Sequence, residues 1–267
     1  MATKQFRWYT TLEKLKSSLS ITTTIQDEPL SDKIQSASEY IELATNRIFL
    51  PVTATKSFDV PLEDPTHRLY LGEESLSVSS ITDASGTIPP SSYMLYPLNY
   101  PRKTWVQLVG ASSWSYSSTP YGAITVSGIW GYSSDTEDTG ATLSSNVLSG
   151  NTSLVVSGGA YLKTGDSLLI ESEQVFISAI SANIITVVRG NNGTTATSHT
   201  AGVSIYKYVV PGAIANICNS LASFWYQNRD VAGLKAKQIA DFRVEYQNGY
   251  AIPGFISDSL TSLKRIM

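Results

Sequence analysis

Pro211-Gly212-Ala213-Ile214-Ala215-Asn216-Ile217-Cys218-Asn219-Ser220-Leu221-Ala222-Ser223-Phe224-Trp225 is the stretch on which the fold turns. Proline stands where a first helical residue belongs. Ile214, Ile217, Leu221 and Phe224 then recur at three and four residues, with Cys218 and Trp225 beside them. This spacing predicts a helix, and it follows directly on a segment that reads as pure β. There Ser153 to Val156, Ser167 to Glu171, Val175 to Ile180, Ile184 to Val188 and Val203 to Tyr206 are short strand candidates. Gly165-Asp166, Ala182-Asn183 and Asn191-Asn192-Gly193 are their turns. These five strands predict a small barrel or sandwich. On its other side lies Ser133-Ser134-Asp135-Thr136-Glu137-Asp138-Thr139-Gly140, a polar acidic junction with nothing to bury, which we read as a boundary.

The N-terminal segment shares the helical character of the Pro211 stretch. Thr10 and Glu13 have capping-box spacing ahead of Leu12, Leu15 and Leu19, predicting a helix over 11–19. Asp27 as cap and Pro29 in the first turn introduce Ile34, Ala37, Ile41, Ala44 and Ile48, predicting a longer helix over about 29–48, ended by Pro51. From 52 to 132 short segments alternate with Pro, Gly, Asp and Ser: Lys56 to Val60, Arg68 to Leu71, Leu76 to Ile81, Tyr93 to Tyr96, Thr104 to Val109 and Ala123 to Trp130. The tail offers a strand, Phe242 to Tyr246, and a last amphipathic segment with Ile256, Leu260 and Leu263. Alone these two have little to bury against and are expected to be completed by another chain. The predicted class is α+β: a small helical core of about four helices with short antiparallel strands, interrupted by an inserted all-β small barrel or sandwich. Residues 1–138 and 207–267 form a discontinuous core, and 139–206 form the insert.

Charge excludes several functions. Charged residues are 15% of the 267, and the formal net charge is −3. Ser, Thr and Gly fill the gap, giving surfaces that hydrogen-bond without charge and suit contact with other subunits. No global footprint for nucleic acid or anionic membrane exists. Residues 229–267 carry six basic against four acidic side chains, and the first sixteen residues are also mildly basic. Without a run of like charges these ends read as solvated termini rather than phosphate-binding tails. Cys218 is the single cysteine and reads as a small core residue, so no disulfide framework and no metal-type Cys/His spacing can be written. Neither an N-terminal apolar stretch nor a run long enough to span a membrane is present, and a reducing, soluble setting is expected.

The inventory for catalysis is thin. His67 and His199 lack a second His or Cys at ligand spacing and read as solvated or strand-edge histidines. Glu171 and Glu173 would share a strand face, and Asp135, Glu137 and Asp138 crowd one loop. Such carboxylates can hold Ca²⁺, yet a solvated face is the simpler account. We therefore expect no enzyme activity, no cofactor and no metal. Trp105, Trp114, Tyr116, Tyr121, Trp130 and Tyr132 fall in a Ser- and Gly-rich stretch. Aromatics in that setting stack on sugars or anchor protein interfaces, with about half of them expected in the core.

Four pieces, in order, resemble the head-tail connector (neck adaptor, or head-completion) proteins of tailed bacteriophages. The first is Tyr9-Thr10-Thr11-Leu12-Glu13-Lys14-Leu15-Lys16 with the second helix's Ser36-Ala37-Ser38-Glu39-Tyr40-Ile41-Glu42 and Arg47-Ile48-Phe49. Next come Leu69-Tyr70-Leu71, Leu76 to Ile81 and Tyr93-Met94-Leu95-Tyr96-Pro97, then Val126 to Tyr132 leading to the Pro211 helix, and finally Arg243-Val244-Glu245-Tyr246 with the closing helix. The insertion between Tyr132 and Pro211 departs from the family. Its Val188 to Gly202 stretch is similar to a β module scattered through phage virion proteins. The resemblance implies a virion structural protein made in the host cytoplasm and resident in the neck between capsid and tail. It implies a ring of roughly twelve subunits that binds portal and a tail or second neck protein. Genomic DNA would pass through the lumen without sequence-specific binding, and no membrane is involved. Ile34, Ala37, Ile41, Ala44, Ile214, Leu221 and Trp225 are the candidate ring-wall positions. Arg243, Tyr246, Tyr250, Ile252, Phe255, Ile256, Leu260 and Leu263 are the candidate interface with portal or a neighbour. A receptor- or glycan-binding virion module is the alternative.

Overall fold

The computed structural model describes residues 5–62, 67–110, 113–229 and 252–265, and the backbone of 236–239 and 242–245. Contacts divide the chain into two units. One holds residues 1–46, 136–191 and 195–266, and the other holds 47–135 with 192–194 and the last residue.

The first unit contains four helices: α1 (Leu12–Ser18), α2 (Asp27–Thr45), α3 (Gly212–Gln227) and α4 (Gly254–Leu263). α1 is capped by Thr11, whose hydroxyl accepts from the Lys14 N–H, and not by Thr10 as expected. Glu13 does not reach back to close a capping box; its carboxylate accepts from the Thr164 N–H at 3.1 Å. α2 starts at Asp27, which lies inside the helix rather than capping it. Asp27 and Glu28 place negative charge at the positive end of the helix dipole. It ends three residues earlier than its apolar spacing suggests, because Asn46 turns left-handed (φ 53°) and donates its N–H to the Glu42 carbonyl. Of the predicted seam of α2, Ile34, Ala37 and Ile41 are buried, joined by Leu30, while Ala44 is half-buried and Ile48 lies beyond the helix; α2 packs on α3, whose Ile214, Cys218, Leu221 and Ala222 are buried in turn. Two small residues close the contact, with Ser38 Oγ 3.4 Å from Cys218 Sγ. Burial pushes the Cys218 thiol up to about 11, so it is an inert core group.

The same unit holds a closed antiparallel barrel of β7 (Thr136–Leu143), β8 (Ser153–Ser157), β9 (Ser167–Ile170), β10 (Glu173–Ser181), β11 (Ile184–Val188) and β12 (Ser204–Tyr208), in the order β10-β11-β8-β7-β12-β9. Leu143, Leu154, Val156, Leu168, Ile170, Val175, Ile177, Ile185, Val187 and Ile205 fill it. The barrel has six strands, not five. The sixth is β7, which starts inside the acidic stretch read from sequence as a structureless junction. Its alternation is hidden because Thr139 and Ala141 are its first inward residues, while Glu137 and Asp138 stay exposed. Closure removes the free edges that a short-stranded sheet would present.

Residues ahead of α1 link the helices to this barrel. The Phe6 ring stacks on Phe176 at 5.2 Å, and Trp8 meets the same ring edge-on at 5.2 Å. Phe6 N–H donates to Asn191 Oδ1, and Asn191 Nδ2 donates to the Phe6 carbonyl, at 3.0 and 2.7 Å. Gly165 lies under Trp8: at φ +101° a Cβ there would sit 2.4 Å from the indole. Towards α2, Arg7 makes a forked pair with Glu42, Trp8 Nε1 donates to Gln35, and Tyr9 binds both Ser38 and Glu42.

The second unit is a six-stranded antiparallel sheet: β1 (Val52–Phe58), β2 (Arg68–Asp83), β3 (Gly86–Thr87), β4 (Tyr93–Tyr96), β5 (Lys103–Leu108) and β6 (Ile124–Trp130), ordered β1-β6-β2-β5-β4 with β3 on β2. Two segments read separately from sequence, 68–71 and 76–81, are one long strand whose register slips three times where it passes from β5 to β6. Ile124, Val126, Gly128 and Trp130 point to the core with Leu69, Leu71, Ile81, Val106 and Leu108. Gly128 is required there, because a Cβ would fall 2.1 Å from the Ser77 carbonyl oxygen. Finally, β13 (Ala236–Ile239) and β14 (Phe242–Glu245) form a hairpin that pairs with no other strand among the described residues.

Candidate functional site

The expected ring-wall and docking side chains differ in how far their own chain covers them. Of the proposed ring-wall residues, Ile34, Ala37, Ile41, Ile214 and Leu221 are buried within their own chain. Ala44 and Trp225 are half-buried, and Trp225 packs edge-on against Tyr40 at 5.9 Å. These side chains hold α2 against α3.

The C-terminal candidates separate in the same way. Tyr246 and Tyr250 lie outside the described residues, and of Arg243 the backbone alone is described, paired with Gln238. α4 is not left waiting for a foreign chain, contrary to expectation. Ile256 and Leu260 are 0% and 3% exposed, α4 contacts α2 and α3, and the Arg265 N–H donates to the Thr45 carbonyl at the end of α2. The expectation failed because the apolar stripe of α4 matches an uncovered side of the α2–α3 pair, a tertiary partner that a local reading does not see. Phe255 is 65% exposed, and Ile252 and Leu263 are half-buried.

The titratable groups hold the largest departure from the sequence reading. His199, read as solvated or at a strand edge, and Glu173, read as part of a solvated face, have fully buried side chains, whereas Glu171 is half-exposed at a left-handed turn residue between β9 and β10. Glu173 opens β10, and its carboxylate accepts from Arg189 Nε and Nη2, both at 2.7 Å, and from the N–H groups of Gly190 and Thr197 at 2.9 and 3.1 Å. His199 places Nε2 2.8 Å from Glu173 and Nδ1 2.7 Å from Glu171, so each ring nitrogen faces a carboxylate oxygen. Arg189 also donates to the carbonyls of Leu148, Asn151 and Thr197. Burial alone would push the Glu173 carboxyl up. The Arg189 fork, the Thr197 and Gly190 N–H groups and His199 outweigh it and hold the carboxyl down at about 2. A carboxylate bonded on every side has no lone pair for a substrate or a cation. The cluster is a clasp that folds the 189–202 loop onto the barrel. Among the described residues no group of three or more His, Cys, Asp or Glu could hold a metal ion.

Asp166 behaves in the opposite sense. Burial in the turn after Lys163 raises its carboxyl to about 6, against the attraction of Lys207 and a bond from the Lys163 N–H, while Glu13 and Glu137 push it further up.

The aromatic stretch divides as expected. Trp114 and Trp130 are buried, and their indole N–H groups donate to the carbonyls of His67 and Ala54. Tyr116 and Tyr121 are exposed. Trp105 faces away from the core, but Tyr96 from β4 lies parallel to its ring at 4.0 Å and the Arg68 guanidinium from β2 stands 4.7 Å from its centre. Because β5 runs between β4 and β2, the indole is sandwiched and has no open face for a sugar. Tyr132 is covered by the Arg102 guanidinium at 3.7 Å and packs on Phe49.

No helix among the described residues is long and apolar enough to cross a membrane. No curated protein matches the chain. Residues 9–69, which span α1, α2 and β1 and reach the start of β2, match the family described as phage gp6-like head-tail connector protein. The match falls on the segment that builds α1, α2 and β1, and over these residues the chain is similar to a phage head-tail connector protein.

Proposed function

We propose that this protein forms a ring of roughly twelve copies between the portal vertex and the tail of a tailed phage, with the genome passing through its lumen. The observation that carries the reading is the family match over residues 9–69. A net charge of −3 supports it, since every Lys or Arg turned to phosphate adds counterion-release binding that a conduit must avoid. In this reading residues 139–206 are an insertion into a connector core of 1–138 and 207–267. The chain is made in the host cytoplasm, resides in the virion neck and binds portal on one side and a tail or second neck protein on the other.

Portal docking is assigned to the C-terminal elements. Ile256 and Leu260 already hold α4 to its own chain, so the contact falls to Phe255 on its exposed face, with Ile252 and Leu263 at its margin. A hairpin of two strands is marginal by itself, so β13–β14 is suited to strand addition on a partner. Purified full-length protein mixed with portal, examined by mass measurement and negative-stain imaging, should give rings or a portal-bound collar. A chain that stays monomeric and ignores portal refutes the proposal.

A further inference from the structure

The outward face of the second unit's sheet is unusual for a surface open to water. Because directly paired residues of an antiparallel sheet share a face, the register places Tyr96, Trp105 and Tyr70 in one row across β4, β5 and β2, with Met94, Gln107 and Arg68 in the next. Lys103 stands on the same face of β5, two residues before Trp105. Tyr70 is 61% exposed and Met94 is also exposed. Tyr, Trp, Met and Arg together are the side chains that concentrate at the centres of protein interfaces. The geometry is rigid: Tyr96 and Trp105 are parallel within 1°, and Arg68 Nε is tied to Gln107 Oε1 at 3.3 Å. Among the described residues none of the positions paired among these three strands carries a carboxylate. Neither Arg68 nor Lys103 forms an ion pair among the described residues, and the Lys103 ammonium donates to the carbonyls of Pro97 and Leu98. A preformed aromatic surface with uncompensated positive charge calls for an acidic partner with apolar side chains.

The chain itself supplies one. The exposed line of α2 runs through Glu28, Asp32, Ser36, Glu39 and Leu43 and begins just after Ile25. It carries no basic residue, and Leu43 and Ile25 at its ends are each 81% exposed. At 1.5 Å per residue the line from Glu28 to Leu43 is about 22 Å long. The three-strand patch is about 10 Å between its outer strand axes, before side chains extend it. We propose that the α2 face of one copy docks on the β4-β5-β2 face of the next. Asp32 and Glu39, about 10 Å apart along the helix, lie against Arg68 and Lys103 over the Tyr70–Met94 surface, and Leu43 extends the contact past Glu39. The two faces differ, so the contact is heterologous and every copy still offers one of each, which is the requirement for closing a ring. The patch is smaller than the roughly 800 Å² per partner of a standard interface, so it serves as the hot spot of a larger contact. The inference rests on the ring reading above and names the surfaces that join neighbours.

The test is a charge exchange in the full chain, read by mass measurement of assembly alone and with portal. The double variant Asp32→Lys/Glu39→Lys and the single variant Arg68→Glu should each need about tenfold or more protein to assemble, with thermal melting unchanged. Adding Lys103→Glu and combining all four changes in one chain should restore assembly. Tyr70→Ala and Leu43→Ser, both at exposed positions, give a charge-independent check and should weaken assembly in the same direction. If the wild type assembles and the variants assemble at the same concentration, this interface is wrong while the ring reading stands. If the wild type never assembles, both fail.

Discussion

Replacing Glu173 by Gln keeps the shape of the side chain and removes one charge from the barrel's interior. In the native protein that charge faces Arg189, whose side chain is 6% exposed, and His199, which is fully buried. An amide can accept one bond from the guanidinium, but its NH₂ would then point at another donor, Arg189 Nη2, the Thr197 N–H or the His199 ring. Removing one partner of a buried ion pair typically costs about 3–5 kcal/mol. The proton linkage gives a second estimate. A carboxyl held at about 2 against an ordinary 4.5 favours the folded state by about 3 kcal/mol at neutral pH. The sign follows from the depressed value. This stability is present above pH 4.5, where the unfolded carboxyl is ionised, and is lost as pH falls towards 2. Urea unfolding followed by barrel-sensitive circular dichroism should show Glu173→Gln destabilised by about 3–5 kcal/mol at pH 7, with the gap to wild type closing below pH 4. A loss under about 1 kcal/mol at pH 7, or a gap that does not narrow in acid, refutes the clasp.

Three further outcomes follow from other parts of the chain. Asp166, raised to about 6, binds its proton more tightly folded than unfolded, so between pH 6 and 4 it makes the protein more stable as pH falls, by about 3 kcal/mol in full. Asp166→Asn should abolish that slope in urea titrations taken at half-unit pH steps, and an unchanged slope rejects the assignment. Gly165→Ala forces a Cβ into the Trp8 indole at a left-handed backbone position. It should cost about 1–3 kcal/mol and raise Trp8 fluorescence sensitivity to quencher. On α4, Ile256→Ala should lower the melting temperature through a loss of about 2–5 kcal/mol. Phe255→Ala should leave melting within error while weakening retention on immobilised portal, and a Phe255 variant that binds portal at wild-type strength removes α4 from the docking surface.

The elements legible in the sequence are those whose pattern is local. α3 was readable because proline and an apolar repeat at three and four residues fix its start and part of its buried face: Ile214 and Leu221 are buried with Cys218, while Ile217 and Phe224 are half-buried and Tyr226 is buried unforeseen. The strand Ile184–Val188 was readable because a short run rich in β-branched apolar residues lies between turn signals. What failed depends on partners distant in the chain. The first five residues of β10, Glu173 to Ile177, are all buried, so no alternation marks which of them face inward. The reason lies far upstream: Phe6 and Trp8 cover the outside of Phe176. Glu173 itself looked like a surface carboxylate because its counter-charge, Arg189, is sixteen residues away. One signal was present. Arg189 is the sole arginine between residues 139 and 206 and directly follows an apolar strand, where a charge must find a buried partner or end the strand at the surface.

The same reasoning changes what an insertion means here. In sequence, residues 139–206 look separable from the helices on either side. In the fold, Leu12 of α1 donates its N–H to the Thr164 carbonyl, Thr164 returns a bond to Glu13, and the Phe6–Trp8 segment lies against Phe176 and Gly165 while also binding α2. The residues that join barrel to helices are therefore those just ahead of α1, beginning before the stretch that matches the connector family. Removing residues 5–8 tests this coupling against a looser tether. The helix pair keeps its own seam of Leu30, Ile34, Ala37 and Ile41 against α3, and the barrel keeps its closed core, so each should still fold. Their joint unfolding transition should split in two, because the aromatic contacts that make one part's stability depend on the other are gone and the Thr164 bonds to Leu12 and Glu13 are left. A truncated chain that still melts in a single step at the wild-type temperature shows that the coupling lies elsewhere.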